Sequence, residues 1–199
     1  EKELNDIHGL TSTLYYAAII CYFERNPAEV ERLASDVIDQ ATRHQFAYYL
    51  AGGDVLRGWA RCALGDAAKG ISWMSGGIDD WRATGSMLLV PYLLALKAEA
   101  LHLADRTSEA LEAIREAEGM VERFEECWRC AELHRLRGVF LATLGAEETQ
   151  IETSFCEAIR IAREQKSVSL EKRAEATYAE YRRQKASAAG GRRFRLALC

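Results

Sequence analysis

The sequence predicts an all-α protein, a right-handed α–α superhelix of about four stacked helical hairpins with a final capping helix. The main observation is a repeat, because a small residue recurs every 40 positions, at Ala18, Gly58, Ala98 and Gly138. A second observation is that only two prolines occur in 199 residues, and proline interrupts helix interiors. A fixed period of this length is typical of arrays in which each unit packs on its neighbours.

The first two units are predicted at residues 6–45 and 47–84. In the first unit, Asn26 and Pro27 mark the start of the second helix, since Asn is a good cap and Pro suits the first helical position. In the second unit, helices are predicted on either side of the Leu64-Gly65 pair. Loops of two to five residues force neighbouring helices to run antiparallel.

The third and fourth units are predicted at residues 87–126 and 128–166. Pro91 is expected in the first turn of its helix, and Thr107 is expected to cap the next one. A capping helix follows at residues 169–184, so that the helical repeat domain covers residues 1–184. Residues 185–199 form a basic tail that we expect to be disordered.

The spacing inside each unit narrows the class of repeat. Twelve residues after the small residue of the first helix comes a packing position in the second, at Val30, Gly70 and Ala110. Small residues facing each other with larger ones a turn later are typical of tetratricopeptide (TPR) repeats. Their standard period is about 34 residues, whereas HEAT and armadillo repeats have periods near 40. The packing positions favour a TPR-like solenoid with lengthened helices.

Three phrases of the chain resemble a known group of proteins: VLRGWARCALGDAAKGI, DDWRATGSMLLVPYLLALKAEAL and ECWRCAELHRLRGVFLATLG. They are similar to the C-terminal TPR-like region of large bacterial predicted ATPases. Those proteins often carry an adenylate/guanylate cyclase domain or a transcriptional-activator domain beside a signal-transduction NTPase module. The resemblance implies a regulatory scaffold whose partner is a protein, a peptide or a neighbouring domain of the same polypeptide.

The inner face of the predicted array is the expected partner-binding groove. The first helix of each unit lines this face, and the register of Gly58 sets which positions point into it. An apolar patch rimmed by charge would suit a peptide or a helix. The predicted groove residues are Tyr15, Ile19, Tyr22, Val55, Trp59, Tyr92, Glu99, His102, Glu132 and Arg135. The alternative is that these side chains complete the core.

Two other functions remain open from the sequence. A closed pocket around Glu99 and His102 would favour a sensor that binds a small effector. Exposed Tyr15, Ile19 and Tyr22 would favour a homodimerisation module instead.

Cys127, Cys130 and His134 are a weak candidate for a metal site. Spacings of three and four residues place them on one face of a helix, and thiolate and imidazole groups are zinc ligands. A second ligand pair is missing, however, and the C-x-x-C motif lacks the βαβ context of a thioredoxin. We therefore predict neither a metal nor any other cofactor.

The remaining features exclude several functions. The net charge of −4 makes nucleic-acid binding unlikely, and the longest apolar run is too short to cross a membrane. The sequence carries neither a phosphate-binding G-x-x-x-x-G-K-[ST] loop nor a hydrolase motif. We expect a non-enzymatic region of a cytoplasmic protein whose cysteines are reduced.

Overall fold

The structure, a computed structural model, describes residues 2–124 and 127–187. In this part of the chain every regular element is an α-helix, which confirms the predicted all-α class. The helices are α1 Lys2–Phe23, α2 Pro27–His44, α3 Ala47–Ala63, α4 Ala67–Ala83, α5 Val90–Leu103, α6 Thr107–Phe124, α7 Cys130–Leu144, α8 Glu148–Glu164 and α9 Val168–Ser187.

The turn that joins the two helices of each hairpin repeats with the period of the sequence. A residue with positive φ stands at Arg25, Gly65, Asp105 and Gly145, each 40 residues after the last. At all four, two backbone amides bond back to the end of the preceding helix in the same pattern. This is the Schellman arrangement that ends many helices. The 40-residue period is therefore a period of backbone geometry as well as of side chains.

The odd-numbered helices form the inner layer of the array. Each packs against the next odd-numbered helix, from α1 through α3, α5 and α7 to α9. The even-numbered helices contact their neighbours in sequence, but within the described residues they do not contact one another. A layer whose members are closer together lies on the concave side of a curved stack, so the odd-numbered helices line the concave face.

Close packing of α3 on α4 explains two of the glycines. A methyl group at Gly58 would lie 2.6 Å from the carbonyl oxygen of Gly70, and one at Gly70 would lie 2.4 Å from that of Gly58. The two backbones are thus in direct contact, which no larger residue permits. Gly138 is the equivalent close-packing position in α7, two hairpins further along the chain. There the ring of Phe155 occupies the space that a side chain would need.

Helix boundaries differ from the predicted ones at several places. α1 begins at Lys2 rather than at residue 6. α5 begins at Val90 rather than near Met87, because Leu89 adopts a left-handed conformation with φ of 66°; Pro91 lies in the first turn as expected. α7 begins at Cys130 rather than Trp128. α9 continues to Ser187, so the first residues of the predicted disordered tail are helical, and residues 188–199 lie outside the described residues.

Candidate partner-binding site

The predicted groove residues do not form an open groove. Only His102 is half-buried, and the other nine are buried: Tyr15, Ile19, Tyr22, Val55, Trp59, Tyr92, Glu99, Glu132 and Arg135. The expectation that their side chains are exposed is wrong, because the apolar ones belong to the hydrophobic core and the three charged ones form buried ion pairs. Whether any of them touches a partner stays a prediction.

The carboxylate of Glu99 is the centre of this filling. It is only 1% exposed, and Tyr22 donates a 2.9 Å hydrogen bond to it through its hydroxyl group. Arg25 donates to both of its oxygens, at 2.6 and 3.2 Å, and the indole of Trp59 donates at 3.4 Å. One acidic side chain of α5 thus ties together α1, the turn after it, and α3. We call Glu99, Tyr22, Arg25 and Trp59 the Glu99 cluster.

Ionisation in the Glu99 cluster follows from burial and from this carboxylate. Burial raises the pKa of Tyr22, and the negative charge of Glu99 raises it further. For Arg25, burial alone lowers the pKa, but the hydrogen bonds and charge of Glu99 outweigh it and leave the pKa raised. Tyr22 therefore stays neutral and Arg25 stays charged at any physiological pH.

A second buried ion pair lies beside the first. Arg135 donates 2.8 and 3.0 Å hydrogen bonds to the two oxygens of Glu132, one helical turn away, and a 3.2 Å bond to Thr177 of α9. Arg173, also from α9, contacts Glu132 at 3.3 Å. We call Glu132, Arg135, Arg173 and Thr177 the Glu132 cluster. Burial raises the pKa of Glu132, but Arg135 and then Arg173 lower it more, to about 2.

A pocket opens beside the start of α9, and we call it the α9 pocket. It has a volume of about 460 Å³ and is lined by Phe23, Trp128, Arg129, Ser167, Ser169, Leu170 and Arg173. Pockets that hold ligands have volumes of about 300–1,000 Å³, so the space is large enough for a few side chains. It lies where the end of α1 meets the starts of α7 and α9.

Arg129 is the unusual residue of the α9 pocket. It is only 8% exposed, and its guanidinium carbon lies 4.7 Å from the ring centre of Phe23 and 5.5 Å from that of Trp128. Its Nε is buried and has no hydrogen-bond partner. Among the described residues, no carboxylate forms an ion pair with it. A buried donor left unsatisfied costs about 1–3 kcal/mol, which a ligand could recover.

Glu99 and His102, on which the small-effector alternative depends, do not share a closed site. The carboxylate of Glu99 is surrounded by its own cluster, whereas Nδ1 of His102 lies 3.0 Å from the hydroxyl oxygen of Thr107. The His102 ring also packs against Phe140, with ring centres 5.0 Å apart. Burial lowers the pKa of His102, so this side chain is neutral at pH 7.

The weak metal candidate does not come together as a metal site. Cys127 and Cys130 are joined by a disulfide across a Cα–Cα distance of 5.0 Å. Neither sulfur is therefore available as a thiolate ligand. The expectation that these two cysteines are reduced differs from the structure. Cys127 precedes α7, which explains why it does not share a helix face with His134. In the part of the chain that the structure describes, no three His, Cys, Asp or Glu side chains are grouped to hold a metal ion.

The surface predicted for the homodimerisation alternative is not exposed. Tyr15, Ile19 and Tyr22 are buried. The large apolar side chains that α1 exposes are Leu10, Tyr16, Ile20 and the partly covered Phe23. The register predicted for α1 was wrong by one residue, because the face that carries Tyr15 and Tyr22 packs against α3 and α5. Among the described residues, no helix combines the length and apolar character needed to cross a membrane.

Sequence reasoning missed the residues of the α9 pocket. Arg129 lies inside the Cys-Trp-Arg-Cys phrase, where the cysteine spacing drew attention to sulfur chemistry instead. Arg173 lies in the predicted capping helix, to which no site was assigned. The usable signal was the pair of bulky residues, Trp128 and Arg129, directly before a helix that begins with a buried stretch.

Comparisons with known proteins support the fold. No protein-family model matches the chain. The chain is 25% identical over 167 residues to an uncharacterized protein of Rhizobium meliloti (strain 1021); the match covers 84% of this chain but 16% of that protein. It is also similar to the crystal structure of Bacillus thuringiensis PlcR in complex with the peptide PapR7 and DNA. That likeness has a TM-score of 0.58 at 14% identity and covers 94% of this chain and 71% of PlcR. The TPR-like helical fold predicted from the sequence is confirmed.

Proposed function

We propose that this chain is a regulatory protein-interaction domain that binds a peptide segment in the α9 pocket. The observation that carries the proposal is the pocket itself. It combines aromatic walls with a buried arginine, Arg129, whose Nε has no hydrogen-bond partner among the described residues. Concave sites with apolar walls and a few polar groups are where proteins usually bind ligands.

A peptide suits this pocket better than a small compact effector. The pocket joins three helix ends and is open to solvent at Trp128 and Ser169, both of which are exposed. An extended chain could insert one or two residues and continue along the surface. PlcR, which has the same kind of fold, was crystallised with a peptide, and this parallel agrees with the proposal.

The proposed setting is a longer signalling protein. The chain resembles the TPR-like region of bacterial predicted ATPases, and the Rhizobium meliloti protein that it matches is much longer than the matched part. In that setting the domain would report occupancy of the pocket to an ATPase or nucleotide-cyclase module. The partner could also be a segment of a neighbouring domain, since a tethered segment has a high effective concentration.

The proposal is tested by selecting peptides from a random heptapeptide library whose C-terminus is free, with the purified chain as bait. Synthetic copies of the selected peptides are then measured by calorimetry against the chain and two variants. Leu170→Trp fills part of the α9 pocket and should weaken binding at least tenfold. Leu144→Trp, at an exposed position of α7 away from the pocket, is the matched control and should leave the affinity unchanged.

Two results would contradict the proposal. One is a selection that yields no peptide binding more tightly than about 1 mM. The other is a set of peptides that bind equally well to the chain and to Leu170→Trp, because that would place the interaction elsewhere.

A further inference from the structure

We propose that the α9 pocket recognises a carboxylate attached to an apolar group, namely the C-terminal carboxylate of a peptide that ends in an aromatic or aliphatic residue. This inference rests on the proposed function and names the chemistry of its ligand. It is carried by the balance of charge on the concave face, by the position of Arg129, and by the walls of the pocket.

Four buried or nearly buried arginines face two carboxylates on the concave face. The arginines are Arg25, Arg129, Arg135 and Arg173, and the carboxylates are Glu99 and Glu132. Glu99 pairs with Arg25, and Glu132 pairs with both Arg135 and Arg173. Among the described residues the set therefore has two more positive than negative charges. Removing unpaired charges from water is costly, so this arrangement favours an additional anion.

The two arginines that account for the excess positive charge lie at the α9 pocket. Arg129 and Arg173 both line it. Arg129 has no ion pair among the described residues, and Arg173 shares Glu132 with Arg135. Burial lowers the pKa of Arg173, and the neighbouring Arg25 and Arg135 lower it further despite Glu132. A guanidinium group binds a carboxylate through two parallel hydrogen bonds, and the unsatisfied Nε of Arg129 is one such donor.

The other walls decide which anion fits. Phe23, Trp128 and Leu170 supply apolar surface next to the arginines, which suits a carboxylate that carries a hydrophobic side chain more than a fully hydrated phosphate. Ser167 and Ser169 flank the start of α9. The first amide groups of a helix have no partner inside the helix, and that end of the helix attracts negative charge. A terminal carboxylate can therefore meet arginine, serine and amide donors together.

The direct test uses phenylacetate, which joins one carboxylate to one apolar ring. Its binding is followed by NMR through the Nε–H signal of Arg129 and the indole signal of Trp128. We expect both signals to shift, and we expect phenylacetamide, the uncharged matched probe, to bind at least tenfold more weakly. Arg129→Gln should abolish the shift at Trp128. Arg57→Gln is the control, because Arg57 also stacks on a tryptophan, Trp73, at 4.6 Å, but outside this pocket.

A second variant guards against a folding defect. Leu170→Glu would place a carboxylate of the chain itself in the pocket, so it should raise the melting temperature by about 2–4 °C and at the same time prevent phenylacetate from binding. A misfolded protein would lose both properties. A lower melting temperature for Leu170→Glu would contradict the excess of positive charge and overturn the inference.

The remaining outcomes separate the two proposals. If the selected peptides bind equally well as free acids and as C-terminal amides, the carboxylate inference is wrong and the interaction function stands. If phenylacetate binds but no peptide does, the peptide function is wrong. If inorganic phosphate shifts the Arg129 signal at a lower concentration than phenylacetate does, the pocket takes a phosphate-bearing ligand and the inference is overturned.

Discussion

At the scale of single residues, the Glu132 cluster shows how a charged group can be buried in a helical repeat. Glu132 is 1% exposed and Arg135 is fully buried, and the contacts from Arg173 and Thr177 complete the hydrogen bonding of the pair. Replacing one partner of such a pair is far more harmful than never having the pair, because the other charge is left uncompensated.

Glu132→Gln should therefore lower the free energy of unfolding at pH 7 by about 3–5 kcal/mol, measured by urea denaturation. The pKa of Glu132 is lowered from 4.5 to about 2 in the folded chain. Its contribution to stability is accordingly complete above pH 4.5 and is lost as the pH falls toward 2. The difference in stability between the original chain and the variant should shrink over that window.

The control for this prediction is Glu157→Gln. Glu157 pairs with Arg160 on an exposed face of α8, where solvent screens the charges and the pair contributes little to stability. A loss at Glu132 no larger than the loss at Glu157 would show that the buried pair does not stabilise the fold.

Residue-scale prediction from the sequence succeeded where a small side chain was required and failed where charge was involved. Gly58 and Gly138 were identified as close-packing positions from their period alone, because the second helix of the hairpin leaves no room for a side chain at either position. Glu99 and Glu132 were assigned to an exposed groove, because the sequence does not show that a turn residue such as Arg25 reaches across the array to neutralise one of them.

At the scale of elements, the four hairpin turns share one backbone geometry but not one residue type. Two of them have glycine at the left-handed position, whereas the other two have Arg25 and Asp105 there, with φ of 57° and 60°. A left-handed conformation costs a non-glycine residue about 1–2 kcal/mol. Arg25 compensates for this cost through its bonds to Glu99, whereas Asp105 is exposed.

Asp105→Gly should thus stabilise the chain by up to about 1 kcal/mol, since glycine adopts this conformation without steric cost. Arg25→Gly removes the same strain but also removes the partner of a buried carboxylate, so we expect a net loss of stability. Thermal unfolding of the two variants side by side measures the difference. If both variants gain stability equally, the contact between Arg25 and Glu99 contributes nothing.

Element boundaries were predictable only where the cap was encoded locally. The start of α2 was predicted correctly because the side chain of Asn26 accepts a hydrogen bond from the amide of Glu29. The start of α5 was missed because a leucine in a left-handed conformation gives no signal in the sequence. The start of α7 was missed because Arg129, which precedes it, makes no side-chain cap hydrogen bond.

At the scale of the whole molecule, the array is closed by contacts between distant units. The hydrogen bond from Tyr22 to Glu99 joins residues 77 positions apart, and the stacking of Arg129 on Phe23 joins the first hairpin to the fourth. In most repeat arrays a unit contacts only its neighbours. This closure buries Tyr22 and Glu99, two residues of the predicted groove, and a 40-residue sequence pattern carries no information about it.

Glu99→Gln should loosen α1 specifically. Arg25 would lose its charged partner, and a local opening made easier by about 1.4 kcal/mol accelerates amide hydrogen exchange about tenfold. We expect faster exchange in α1 by at least that factor, with exchange in α8 unchanged, measured by mass spectrometry of peptic fragments. Equal acceleration in all helices would show instead that Glu99 stabilises the chain as one cooperative unit. Glu109→Gln, at an exposed pair with Arg106, is the control.

The closing contact has a further consequence for how such a chain can change over evolution. Duplicating or deleting one 40-residue hairpin would preserve every turn and every small-residue contact between neighbours. It would nevertheless move Tyr22 out of reach of the carboxylate of Glu99, because the distance between them spans a fixed number of hairpins. The number of hairpins between α1 and α7 is therefore constrained by the ring that they complete, even though each hairpin alone would tolerate insertion or loss.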